Sequence, residues 1–175
     1  MSNQTYAESG GVPSKIPDAV TTVVPAVGRA MISVAFLLSG FSKLAAPAMT
    51  IGYIQSVGLP LPSVAFALSA FVEIAGGIAL LLGLRTRIVA SVLFLFCLAT
   101  AVFFHRNFGD QDQFIHFFKN VAMAGGLLHV VAFGGGRMSL DGRRSSILKR
   151  LNLSSHAGAA LLALGVLAAM LVVTA

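Results

Sequence analysis

Charge is what this chain has least of. Charged residues make up 10% of its 175 positions, against about 25% in an ordinary soluble domain, and its mean hydropathy is +0.88. A soluble globular protein is thereby excluded and an integral membrane protein indicated. Cysteine is nearly missing as well. Cys97 stands alone, which excludes an internal disulfide, a CxxC redox pair and a thiolate-ligated iron–sulfur cluster of the chain's own. Acids number six against twelve Lys and Arg. The resulting net charge of +6 is clustered, and a lipid surface explains it better than nucleic acid does. Residues 1–19 are polar and lack the basic-then-apolar order of a cleaved signal peptide, so the first apolar segment is expected to be retained. The length leaves room for one compact domain of four or five spans and for no sizeable extramembrane enzyme domain.

What the chain does have is long apolar runs. Five stand out: Ala26–Ala45, Ser63–Leu84, Ile88–His105, Phe114–Phe133 and His156–Ala175. Each approaches the ~20 residues needed to cross a hydrocarbon core of about 30 Å. The first is the shortest between charges, with thirteen uncharged residues from Arg29 to Lys43. It spans if both side chains snorkel outward. Residues 46–62 carry three prolines and two glycines and read as a short interfacial or re-entrant piece. Arg85-Thr86-Arg87 forms a tight turn between the second and third spans.

The expected architecture is therefore all-α. Residues 1–25 form a polar extension, residues 26–136 a four-helix membrane domain, 137–155 a basic linker and 156–175 a fifth transmembrane helix. Nine basic residues (Lys15, Arg29, Arg85, Arg87, Arg137, Arg143, Arg144, Lys149, Arg150) fall on one side and three (Lys43, Arg106, Lys119) on the other. That asymmetry places the amino terminus in the cytoplasm and, with five spans, the carboxy terminus outside. Within the linker, Ile147, Leu148 and Leu151 among five bases suit an amphipathic surface helix on anionic lipid, or a docking site for a soluble partner. The second and fourth spans each contain an Ala-Gly-Gly step, at 75–77 and 124–126. Small residues of this kind let helices approach closely in lipid, so Gly76 and Gly125 are both expected at helix contacts.

Glu73 is the one acid inside a span, with no other charge between Lys43 and Arg85. At ~1.5 Å per residue it lies near the midplane, about 18 Å from Arg85. An unpaired acid there costs at least roughly 2.5–3.5 kcal/mol, so it is expected to face the bundle interior. Glu73 shares a helix face with Gly76 and Gly83, which agrees. Lys43 ends the first span only a few ångströms above that depth, and Ser39 lies one turn below Lys43. Ser39, Lys43 and Glu73 thus define a candidate polar pocket. Three readings stay open: a packing acid satisfied by hydroxyl and carbonyl groups, a ligand pocket, or a proton relay. His105 and His116 flank Asp110 and Asp112, a set with no recognised metal-ligand spacing beside a repelling Arg106; no metal site is expected. Six of thirteen phenylalanines fall between 103 and 118 and suggest an apolar rim. Lys119 and Asn120 start the fourth span beside that rim and are candidates for the pocket's mouth. His105 and His129 differ in depth by about 15 Å at ~1.5 Å per residue, too far for one haem. His129 is expected to be packed and hydrogen-bonded.

Several strings together carry a family resemblance. They are GRAMISVAFLLSGFSKL at 28–44, GLPLP at 58–62, EIAGGIALLLGLRTR at 73–87, the histidine closing the third span, and KNVAMAGGLLHVVAFGGGRMSLD at 119–141. In combination, over about residues 28–141, they resemble the DoxX family. The resemblance places the family's recurrent polar positions on Lys43, Glu73, Arg85, His105, Lys119 and Asn120. It implies a compact four-helix membrane bundle and a subunit of a membrane oxidoreductase system, linked to quinone or sulfur compounds. All of these but Arg85, together with Ser39, give the expected ligand-binding set Ser39, Lys43, Glu73, His105, Lys119 and Asn120. The chain lacks residues for an obvious cofactor of its own, so the ligand in view is a quinone-like or small polar molecule, and electrons would come from a partner or directly from that ligand. Expected partners are membrane lipid and another membrane or redox protein, with homo-oligomers open and nucleic acid excluded. The alternatives are a non-catalytic assembly subunit and, with only one midplane acid, a small-molecule or proton transporter.

Overall fold

The computed structural model describes residues 17–143. The polar extension up to residue 16, the linker from 144 and the segment 156–175 lie outside the described residues, so the fifth helix and the amphipathic linker helix remain expectations. Five helices follow in order: α1 (Asp18–Ala45), α2 (Pro47–Ser56), α3 (Pro62–Leu82), α4 (Thr86–Phe104) and α5 (Gln111–Phe133). No strand occurs among the described residues. Of the five, α1, α3, α4 and α5 are long and apolar enough to cross a membrane. The expected all-α membrane bundle is what the chain forms.

α1 starts eight residues before Ala26, because Pro25 sits inside the helix rather than ending it. A membrane helix tolerates such a proline where neighbours re-satisfy the freed backbone groups. α1 packs chiefly on α3 and α4 chiefly on α5, while α3 touches α4 and α1 touches α5, closing a ring of four. The centre is filled by Phe36, Leu80, Ala90, Leu93, Cys97, Ala124 and Leu127. α2, in the segment too broken to span, leaves the end of α1 and reaches the end of α4, where Tyr53 Oη donates to the Phe104 carbonyl at 2.9 Å. The bundle thus has a histidine end, carrying α2 and the α4–α5 loop, and a turn end, carrying the α3–α4 connection.

Two close approaches shape the α3 turn end. Gly83 takes a left-handed conformation (φ 69°), and its N–H donates to Leu80 O (3.1 Å) while that of Leu84 donates to Ala79 O (2.9 Å). This double bond closes the orphan carbonyls of α3, and glycine adopts the conformation without a Cβ clash. A Cβ at Gly83 would also collide with the Arg29 guanidinium and with Ser139. The next turn is held by Asp141, whose carboxylate accepts from Arg85 N (2.9 Å), Thr86 N (2.6 Å) and Thr86 Oγ1 (2.7 Å). An acid on the first N–H groups of α4 satisfies donors that the helix leaves unpaired and complements its dipole.

The snorkelling expected of Arg29 does not occur. Arg29 is 2% exposed and donates to Leu80 O (3.0 Å), Leu81 O (3.4 Å) and Met138 O (2.9 Å). The last carbonyls of α3 form the negative end of a helix dipole, which is a better environment for a guanidinium than lipid is. Arg29 and Asp141 together tie residues 138–141 across α1, α3 and α4.

Candidate functional site

α1 and α3 approach closely beside Glu73, and Gly40 permits it. A Cβ at Gly40 would sit 2.6 Å from Ile74 Cγ1 and 3.2 Å from Glu73 Cβ. Glycine inside a helix costs up to about 1 kcal/mol, so a packing reason of this kind is needed. Across this contact the Lys43 ammonium donates to both carboxylate oxygens of Glu73, at 2.7 and 2.6 Å. It also donates to Ser39 Oγ at 3.0 Å, and the Ser39 hydroxyl in turn donates to Glu73 Oε1 at 3.0 Å. Lys43 therefore turns inward to its acid instead of snorkelling. The two partners differ in access: the Glu73 side chain is 5% exposed and that of Lys43 25%. The acid is enclosed, and the cation is the side of the pair that a third molecule meets first.

The histidine end holds the other expected residues. Asp110 caps α5, accepting from Asp112 N (2.8 Å) and Gln113 N (3.4 Å), the arrangement that Asp favours before a helix. The cap sets Gln113 on the first turn, where its Oε1 lies 2.9 Å from His105 Nδ1. The His105 ring stacks on that of His116, with centroids 5.1 Å apart, and Lys119 Nζ lies 2.7 Å from His116 Nδ1. Burial pulls the His105 pKa below the ordinary value for histidine, and the charges of His116, Lys119 and Lys43 lower it further against the hydrogen bond that His105 donates to Gln113 Oε1. A neutral imidazole is thus favoured on this side of Lys43. Among the described residues, no group of three or more His, Cys, Asp or Glu side chains gathers as a metal site would require.

Ser39, Lys43 and Glu73 are thus in direct contact, and His105, His116 and Lys119 form a second chain that Lys43 influences electrostatically. Asn120 is the exception, since its amide donates to His116 O, one turn back on its own helix (2.9 Å). Arg85 is on the surface of the turn and takes part through its backbone N–H alone among the hydrogen bonds described above. His129 is not packed as expected: it is exposed, with its ring 5.9 Å from that of Phe133 and no hydrogen bond among the described residues. Beside the histidines a cleft of about 350 Å³ opens between Tyr53, Ser56, Phe104, Arg106, Asp110 and Gln113, among others. It meets the candidate site only through Gln113, and neither Lys43 nor Glu73 lines it.

Similarity to known proteins covers part of this site. The DoxX family model matches residues 24–106. The inner membrane protein YqjF of Escherichia coli (strain K12) is 33% identical over 115 residues, which cover 66% of this chain and 87% of that protein. The inner membrane protein YphA of the same strain is 32% identical over 130 residues, covering 71% and 93%. The chain belongs to the DoxX family. With four spanning helices and relatives of that description, it is a multi-pass inner membrane protein. The family match takes in Ser39, Lys43, Glu73 and His105 and stops before Lys119 and Asn120. No solved structure matches this DoxX chain.

Sequence reasoning missed Gly40, Tyr53 and Gln113. A glycine between Ser39 and Lys43 was a usable signal of close helix approach. Tyr53 and Gln113 gave none, because they are sixty residues apart and meet only through the fold, at 3.5 Å.

Proposed function

We propose that this protein is a small membrane subunit of a redox assembly, and that the Lys43–Glu73–Ser39 centre receives a quinone-like ligand from the lipid. The observation that carries the reading is the asymmetric ion pair inside the bundle, an enclosed carboxylate held by a partly accessible ammonium. An ammonium is a strong donor to a carbonyl or phenolate oxygen, and its attraction gains strength where water is scarce. The residues present fit such a head group. Lys43 and the Ser39 hydroxyl supply donors, Glu73 supplies a base, and neutral His105 supplies a second proton acceptor towards the histidine end. Were a quinol oxidised here, Glu73 and His105 would take its two protons, and a partner redox protein would take its two electrons.

A second reading has an observation of its own. Both oxygens of Glu73 and the Ser39 hydroxyl are satisfied within the chain, as they would be in a clasp that fixes α1 on α3 in an assembly subunit. Purification in mild detergent followed by mass spectrometry distinguishes the two. An isoprenoid quinone or a redox protein retained in stoichiometric amount supports the ligand site. A stable complex free of quinone and of any redox-active partner supports the clasp.

A further inference from the structure

The α4–α5 loop carries two opposite charges that do not meet. Arg106 and Asp110 both line the cleft of about 350 Å³ at the histidine end, with Asn107 between them in sequence. No ion pair joins the two, and the side chains of Arg106 and Asn107 make no hydrogen bond among the described residues. Asp110 is held where it is by capping α5. Its Oδ1 accepts from Asp112 N and Gln113 N, while Oδ2 accepts from nothing among the described residues. Turning the carboxylate toward Arg106 would uncap the helix. The cleft thus offers a donor set and an acceptor of opposite charge, each with capacity to spare. A simple anion drawn to Arg106 meets the repulsion of Asp110, and a simple cation meets the reverse. A ligand carrying both signs meets neither.

The place of the cleft in the bundle bears on where such a ligand comes from. α4 ends at Phe104 and α5 begins at Gln111, so a cleft lined by Phe103, Phe104 and Arg106 straddles the end of the spans. Hydrocarbon gives way to head groups at that level. Tyr53 marks the same boundary. Its ring lies 5.6 Å from that of Phe104, while its hydroxyl donates to Phe104 O at 2.9 Å, an amphipathic placing that tyrosine favours between lipid and water. Phe103 is exposed and gives the cleft an apolar flank beside its charged rim. The volume is at the small end of ligand pockets, which run from about 300 to 1,000 Å³. It suits a polar head group whose tails stay in the surrounding lipid.

We propose that this cleft binds a head group carrying phosphate and ammonium together, and that its source is a phospholipid of the ethanolamine type. Arg106 and the Asn107 amide donate to the phosphate oxygens, for which a guanidinium offers a bidentate fork. The ammonium donates to Asp110 Oδ2. Neither Lys43 nor Glu73 lines the cleft, so this site stands apart from the ligand reading above and does not depend on it.

Native mass spectrometry of the full chain in mild detergent, titrated with lipids of identical acyl chains, reads the first bound lipid directly. Phosphatidylethanolamine should bind about fivefold more tightly than phosphatidylglycerol, the scale of one exposed ion pair, because only the former brings a cation to Asp110. Phosphatidylcholine should also bind more weakly, since its trimethylated nitrogen has no N–H to donate. Asp110→Asn keeps a good helix cap but removes the charge, so the preference over phosphatidylglycerol should vanish. Arg106→Gln breaks no side-chain contact among the described residues and should weaken all three lipids. Soluble phosphoethanolamine at the lipid's concentration should displace nothing. The proposal is overturned if the parent binds phosphatidylglycerol as tightly as phosphatidylethanolamine, or if Arg106→Gln binds every lipid as the parent does. An unchanged preference in Asp110→Asn that melts like the parent overturns it as well. Displacement by phosphoethanolamine would assign the cleft to a soluble zwitterion and overturn the lipid source.

Discussion

At the residue scale, His105 is the group whose protonation the fold controls most plainly outside the spans. Its pKa is lowered by burial first and then by the positive charges of His116, Lys119 and Lys43. The folded protein therefore binds a proton at His105 less readily than the unfolded chain, whose histidine titrates near 6.5. This contribution to stability is complete above that value and is lost as pH falls through the lower, folded pKa. The melting temperature in detergent should drop as pH is taken from about 7.5 to about 5, and His105→Gln should flatten that drop. Equal slopes for the two proteins would mean that His105 is solvated like any surface histidine. Histidine spacing alone could not have shown this, because the shift comes first from burial and then from His116, Lys119 and Lys43, which only the fold gathers around His105.

At the element scale, the four spans were legible because a helix's rise and a bilayer's thickness fix how long an apolar run must be. The contact of Ser39, Lys43 and Glu73 was legible for the same reason, since depth follows from counting residues along two neighbouring helices. Facing was harder to read. Two Ala-Gly-Gly steps look alike in sequence, yet a Cβ at Gly76 would lie 2.9 Å from Leu93 Cδ2 while one at Gly125 would meet nothing within 4 Å. Which glycine packs is decided by helix rotation, and that comes from the whole ring of contacts. Arg29 was misread because its acceptors lie on other elements, Leu80 O at the end of α3 and Met138 O on the path of residues 134–143, which follows no periodic pattern. Gly76→Leu should therefore lower stability by about 1–3 kcal/mol through overpacking against Leu93. Gly28→Leu, at an exposed position with nothing within 4 Å, should leave melting nearly unchanged. Equal losses for both would show that α3 does not pack on α4 through Gly76.

At the scale of the whole molecule, a ring of four spans is tied at one end by Arg29 and Asp141 and carries its polar groups at and above the middle. From the basic asymmetry of nine to three, the turn end is expected in the cytoplasm and the histidine end outside. Reporter fusions at Gly142 and after Ala175 should therefore report opposite compartments, and a shared compartment would mean that residues 156–175 do not cross. The pair at the centre is open to a more direct trial. Removing one partner of a buried ion pair costs roughly 3–5 kcal/mol, whereas replacing both is often nearly neutral. Lys43→Met and Glu73→Gln should each destabilise the protein, and the double variant should recover folding beyond the sum of the single effects. The deciding measurement is ligand retention by that double variant, purified in mild detergent beside the parent and analysed by mass spectrometry on samples of matched melting temperature. A folded double variant that has lost the co-purifying quinone or redox partner is the predicted result. A folded double variant that keeps it in parental amount would contradict the assignment of Lys43 and Glu73 as the functional centre.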